Sequence, residues 1–373
     1  MKNLITCLAV SLLSSVAFAD TWTVDDDGNA DFDYIQSAAN DDPVKTEDCC
    51  EIECGTVVTP EVIAGTEQML QDGTWDEGRM HPLNHRGTQY VRITAHVVRN
   101  SNGTGGLPQH RIDTAIEDLN AHIEETGLVF FQDGDTLFID SDQYADCDTS
   151  EMDALRQIDV VDGSVNIYFV PETSICGRSS FYGMGVQGIV MNNSCTANPS
   201  TPNYSTFSHE VGHYFNLWHT HTTSLGGAEC VDGSNCSIAG DLFCDTPADP
   251  NVSGLVSDSC VYTGTVIDAC GSGALYNPST ENLMSYSNKW CRDTFTSEQL
   301  SMFLWSAENQ RADHIVNSDC PEDINGDGYV DVSDLLAVID QWGLTNSPAD
   351  VNDDGIVDVS DLLVVVGNWG PCE

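Results

Sequence analysis

Basic side chains are what this sequence has least of. Twelve lysines and arginines stand against 59 aspartates and glutamates, giving a formal net charge of −47 over 373 residues. A surface so negative argues against gripping nucleic-acid phosphates or an anionic membrane. Long apolar runs are missing as well: beyond residue 19, no stretch approaches the roughly 20 apolar residues that span a bilayer. Also absent is a repeated Cys-x-x-Cys set, which makes a cysteine-ligated zinc site a weak reading.

The first nineteen residues differ from the rest. Lys2 gives a positive start, Leu4 to Val16 is largely apolar, and Ala17-Phe18-Ala19 ends in small-x-small. This is the pattern of a secretory signal over 1–19, so the mature chain is expected to be secreted and soluble. Of 15 cysteines, Cys7 would leave with that signal, and the even remainder in an exported protein reads as disulfides. The length allows an enzyme core with appendages.

One stretch organises the rest: His209-Glu210-Val211-Gly212-His213, followed by His219. Histidines four apart share one face of a helix, and the glutamate between them is placed to act as a base beside a metal they hold. A third histidine six residues on turns back toward the same metal once the helix ends. Three nitrogens with an open fourth position is the arrangement of a catalytic zinc. His209, His213 and His219 are therefore the expected zinc ligands, with Glu210 catalytic. The helix is expected to be capped by Thr206 and to begin at Phe207, and Gly212 inside it implies a close neighbour.

Upstream, residues 20–86 are acidic and irregular and read as a propeptide-like segment. Cleavage near Arg79 or Arg86 would remove it, and the Cys54 thiol is a candidate latency ligand for the fourth zinc position. Tyr90 to Arg99 alternates as a strand, with Val91, Ile93, Ala95 and Val97 on one side. A helix over 109–125, strands at 128–131, 136–139, 165–170 and 188–191, and a capping box at Thr296 to Gln299 complete a mixed sheet packed against helices. The stretch 185–191 is the candidate for the cleft's upper wall, its edge free to pair with an extended peptide. Asp241 and Asp245 offer carboxylates for calcium. The catalytic domain is expected over 87–318.

After Cys320 the composition changes, and a twelve-residue loop recurs 27 residues later. Its oxygen ligands at positions 1, 3, 5, 9 and 12, with glycine at 6, match a calcium loop. The expected ligands are Asp323, Asn325, Asp327, Asp331 and Asp334, then Asp350, Asn352, Asp354, Asp358 and Asp361. Tyr329 and Ile356 would lend carbonyls. Cys320 and Cys372 could staple the ends of this module, 319–373.

The stretch from Tyr90 to Ile315 resembles the metzincin metallopeptidases, and within them the pappalysin or cytophagalysin group. The resemblance rests on the three histidines with Glu210 and on Asn282-Leu283-Met284-Ser285-Tyr286, which is similar to a Met-turn. It implies an α+β catalytic domain, a twisted mixed sheet with an active-site helix, Met284 beneath the zinc ligands, and Tyr286 as a hydrogen-bond donor near the metal. Asn216 stands where the family has glycine, a position whose left-handed bend asparagine tolerates best after glycine. Asp245-Thr246-Pro247 resembles a segment near a structural calcium in relatives. The tail resembles a small all-α dockerin-type module, implying a cohesin-like partner. The expected function is a secreted zinc-dependent endopeptidase acting on proteins or peptides. The alternative is a calcium-dependent adhesion or scaffold-binding protein whose peptidase site is secondary or inactive.

Overall fold

Strand β2 (Gln89–Arg99) forms the spine of the fold because its side chains are buried on both faces. Val91, Ile93, Ala95 and Val97 pack under the helices, while Val98 joins Tyr168 and Val190 in a second cluster on the opposite face. The computed structural model describes residues 52–83, 88–198, 205–316, 320–325 and 329–371. The expected signal at 1–19, Asp327 and Cys372 lie outside these.

In chain order β1 (Ile52–Cys54) is followed by helices α1 (Pro60–Asp72) and α2 (Thr74–Arg79), then by β2 and α3 (Gln109–His122). Strands β3 (Leu128–Gln132) and β4 (Leu137–Asp140) precede two single-turn helices, α4 (Asp142–Ala145) and α5 (Met152–Leu155). Then come β5 (Val165–Val170), β6 (Ile175–Arg178) and β7 (Ile189–Asn192), and the short helix α6 (Thr206–Tyr214). A long disulfide-pinned loop leads to α7 (Ser297–Asn309). The sheet runs β1-β6-β7-β5-β2-β3, with β4 continuing the edge of β2 beyond β3. Every pair is parallel except β6 with β7.

The candidate upper wall at 185–191 is corrected by this order. β7 lies between β5 and β6, so its backbone groups are already paired on both sides. The strand with a side facing the cleft is β6, and β1 occupies that side in parallel register, Ile52 opposite Ile175 and Cys54 opposite Gly177. The sequence Ile-Cys-Gly-Arg has no alternation to betray a strand; its pairing is decided by tertiary contact.

Helices α1 and α2 fall within the stretch expected to be propeptide-like, yet they feed the main core. Trp75 is 1% exposed and meets Phe243 and Trp218. Arg79 is buried and ion-paired with Asp76 and Glu298. Downstream, the Thr296 and Gln299 side chains form the reciprocal capping box of α7.

The tail is not all-α. Strand β8 (Tyr329–Val330) pairs antiparallel with β9 (Gly370–Pro371) around α8 (Val332–Asp340) and α9 (Val359–Gly367), and a small core including Val330, Val338, Val357 and Val365 fills the space between. Residues 48–373 group as one compact unit, and no distinct all-α module is set apart among the described residues.

Candidate metal centre and peptide cleft

Helix α6 is buried along its whole length, which a nine-residue helix with two histidines and a glutamate survives only if those groups have partners. Its N-cap is Ser205, one residue earlier than expected, and no side chain caps it. The Ser205 hydroxyl donates instead to the Lys289 carbonyl at 3.0 Å. Gly212 has the close neighbour its position implied: a Cβ there would lie 2.8 Å from Met284 Sδ.

The helix ends at Phe215, and Asn216 follows at φ 69°, the left-handed bend expected of it. Its amide contributes more than backbone tolerance. Oδ1 accepts from Tyr182 N–H at 3.3 Å and Nδ2 donates to Gln310, tying the bend to the loop after β6 and to the end of α7. The chain then returns His219 to the helix face.

The three imidazoles converge. Nε2 of His213 lies 3.2 Å from that of His209 and 3.0 Å from that of His219. The Nδ1 atoms of His209 and His213 bond to the Leu283 and Leu217 carbonyls at 2.6 and 2.7 Å, so the proton sits on Nδ1 and the lone pair on Nε2 faces its neighbours. Burial pushes all three rings toward the neutral form, His213 down to about 3. Lone pairs packed this closely repel unless a cation lies among them. Cys54 Sγ completes the group 3.5 Å from His213 Nε2, and all four ligand atoms lie within 4.8 Å of one another. Nitrogen and sulfur donors at this spacing fit zinc.

Around this group the structure gathers residues that the sequence identified and others that it hid. Met284 is fully buried beneath α6, and Tyr286 lies against His209 and His219 while its hydroxyl donates to the Cys54 carbonyl at 3.2 Å. Glu210 is completely buried, with Oε1 unpartnered among the described residues and Oε2 accepting from Thr56 at 3.0 Å. Burial raises its carboxyl to about 7, against the lowering effect of the Cys54 and Thr56 contacts. Gly177 on β6 is required here, because a Cβ would stand 2.6 Å from Glu210 Cγ. Thr56, Gly177, His221 and Lys289 carried no sequence signal. His221, a fourth histidine two residues past the third, is stacked on His219 and tilted against Tyr286.

A profile of the peptidase M43 family, described as pregnancy-associated plasma protein-A, matches residues 171–304. That span holds the rim strand, the three histidines and the Met284 turn. The chain is similar to an extracellular metalloprotease of Colletotrichum graminicola, 29% identical over 226 residues, 56% of this chain and 73% of the relative. Human pappalysin-1 is 30% identical over 164 residues, 40% of this chain and 10% of that protein. Among solved structures, a mutant of Tannerella forsythia promirolysin superposes with a TM-score of 0.51 at 17% identity, covering 70% of this chain and 96% of that one.

The fold is that of the pappalysin-type, metzincin-like peptidases. With the buried cluster it makes the chain a zinc metalloendopeptidase. The catalytic domain is tied by Cys176–Cys195, Cys230–Cys270, Cys236–Cys244 and Cys260–Cys291, and Cys320 is also disulfide-bonded. Such bonds persist in the oxidising medium of a secreted protein. Among the described residues, no helix is long and apolar enough to cross a membrane.

Proposed function

We propose that the chain hydrolyses peptide bonds at a zinc held by His209, His213 and His219, with Glu210 as general base. The observation that carries this is Glu210 itself, a fully buried carboxylate held against Thr56 and Cys54, with Oε1 unpartnered among the described residues. When bound, zinc supplies a Lewis acid for the scissile carbonyl and lowers the pKa of water. Glu210 Oε1 takes the proton from the attacking water and returns it to the leaving amine nitrogen. Its buried setting suits both halves of that exchange, since a carboxyl raised toward neutrality both accepts and releases a proton readily. The Tyr286 hydroxyl, once its bond to Cys54 is lost, donates to the developing oxyanion. β6 pairs with the extended substrate along the side that β1 now fills.

In this reading the chain as described is latent. The Cys54 thiol stands in the fourth zinc position and Thr56 occupies Glu210, so one short strand blocks metal and base together. Substituting Glu210→Gln tests the mechanism: zinc stoichiometry is retained and peptide cleavage falls by roughly three orders of magnitude or more. Activity at the parent level in a zinc-loaded variant would refute Glu210 as the base.

Calcium belongs to the same proposal in two places. In the tail, Asp334 accepts from the Asn325 and Asp331 amides, and Asp361 accepts from Asn352 and Asp358 in the same register. With Asp323, Tyr329, Asp350, Asp354 and Ile356 these form the two proposed loops, Asp327 lying outside the described residues. In the catalytic domain, Asp241 is fully buried with Oδ2 unpartnered among the described residues, and Glu229 approaches through the neighbouring Gly240. Val332, Leu336 and Ile339 on α8, matched by Val359, Leu363 and Val366 on α9, are exposed and support a cohesin-like partner docking there. That exposed apolar row is also what favours the adhesion reading.

A further inference from the structure

Thr56 stands between two groups that would otherwise face each other. Its Oγ1 accepts from the Ser179 N–H at 2.8 Å and donates to Glu210 Oε2 at 3.0 Å. The Ser179 amide also reaches the Glu210 carboxylate itself. Ser179, the residue immediately after β6, therefore lies at the carboxylate.

The direction of its side chain follows from the backbone. The Gly177 carbonyl accepts from Gly55 N–H at 2.8 Å and the Ser179 N–H turns to Thr56, so both residues aim their backbone polar groups toward the β1 side. Residues two apart that do so lie on one extended chain and carry their side chains on one face. For Gly177 that face is the one toward Glu210, where a Cβ would stand 2.6 Å from Cγ. The Ser179 hydroxyl shares it.

That hydroxyl is idle while β1 is paired. Ser179 is 5% exposed, and its Oγ has no partner among the described residues. The next hydroxyl on the chain, Ser180 Oγ, accepts from Gly188 N–H at 3.1 Å. A buried hydroxyl without a bond destabilises the state that leaves it so, and it calls for a state in which the bond is made. Displacing β1 creates one, because Oε2 then loses the Thr56 donor. A carboxylate held at one oxygen presents the other in a fixed direction, whereas an unheld one turns about its Cγ–Cδ bond and meets the water in fewer orientations.

We propose that Ser179 is the positioning residue for Glu210 once β1 is displaced, its hydroxyl donating to Oε2 in place of Thr56 so that Oε1 stays turned to the water. The inference rests on the reading of Glu210 as general base and of β1 as the block. Loss of one charge-assisted bond of this kind lowers kcat about tenfold and leaves KM unchanged, because the hydroxyl serves the base and not the peptide.

The test places Ser179→Ala in two zinc-loaded full-length chains, one carrying Cys54→Ala alone and the other Cys54→Ala with Thr56→Val. In the second, kcat should fall about tenfold at unchanged KM and zinc stoichiometry; in the first, where Thr56 still serves Oε2, the fall should be several times smaller. Ser179→Thr, which keeps the hydroxyl, should recover most of the loss in the second chain. Equal falls in both chains, no fall in the second, or a rise in KM in place of the fall in kcat overturns the proposal and leaves Ser179 a packing residue. Should Ser179→Thr fail to fold, the difference between the two chains decides. Glu210→Gln in the second chain separates the readings. Cleavage retained there refutes the base and its positioning together, whereas cleavage lost in Glu210→Gln but indifferent to Ser179→Ala refutes the positioning alone.

Discussion

Trp75 and Trp218 meet edge to face with ring centroids 6.3 Å apart, joining a helix that precedes β2 to the residue beside His219. On this contact we expect α2 to stay with the working enzyme. Trp75→Ala should cost about 3–5 kcal/mol of stability, measured by denaturant unfolding. A loss under about 1 kcal/mol would show that α2 is dispensable.

The same contact limits where activation can cut. Removing Cys54 while keeping Trp75 requires a break between them, and Val57, 62% exposed in the segment before α1, is an accessible place outside a helix. Terminal sequencing of the activated chain is expected to find its first residue between Gly55 and Thr59. A first residue beyond Arg79 would contradict the assignment of α2.

The proposed latency rests on two contacts, and they should separate. Cys54→Ala is expected to raise the activity of the uncut chain about tenfold or more, the equivalent of losing roughly 1.4 kcal/mol of blocking contact. Thr56→Val, which removes the bonds to Glu210 and to Ser179 N–H, should give a smaller rise. Initial rates on one peptide rank them, and equal rates for both variants and the parent would exclude β1 as the block.

Asn216 can be tested by conformation. Asn216→Val places a branched side chain in a left-handed bend at a cost of about 1–2 kcal/mol, so zinc affinity should fall roughly tenfold in a chelator competition. Asn216→Gly should hold zinc more tightly than the valine variant.

Asp249 supplies a pH dependence. Burial raises its carboxyl to about 6 from 3.8 despite the bonds from Thr220 and Asn251. A raised pKa means the folded state prefers the protonated form, so this contribution is fully present below about 3.8 and is lost as pH rises through about 6. The thermal midpoint of the parent should therefore fall more between pH 4 and pH 7 than that of Asp249→Asn. Parallel midpoints across that range would remove Asp249 as the cause.

The sequence made the zinc helix, the left-handed bend at Asn216 and the strand over 90–99 legible because each rests on local rules: a fixed periodicity, one backbone basin, one alternation. Gly212 was legible for the same reason, its cost inside a helix demanding a neighbour. β6 and β1 were not, since Ile-Cys-Gly-Arg becomes a strand only when β7 lies beside it. Thr56 and Lys289 were hidden by distance, the first 154 residues along the chain from Glu210 and the second 113 from Cys176. The tail's repeats displayed their loops in sequence, whereas the β8–β9 pair depends on closing its two ends together.

On the proposed latency, the burial of Cys54 gives activation a direction. While β1 stays paired, its sulfur is shielded from oxidants and from the eight cysteines of the four catalytic-domain disulfides. On a released segment the thiol meets an oxidising medium and is spent as disulfide or sulfenate. Reassociation then lacks a sulfur able to reach the zinc, so cleavage works as a ratchet. With a reductant present, added segment should inhibit the mature enzyme again; in air it should not.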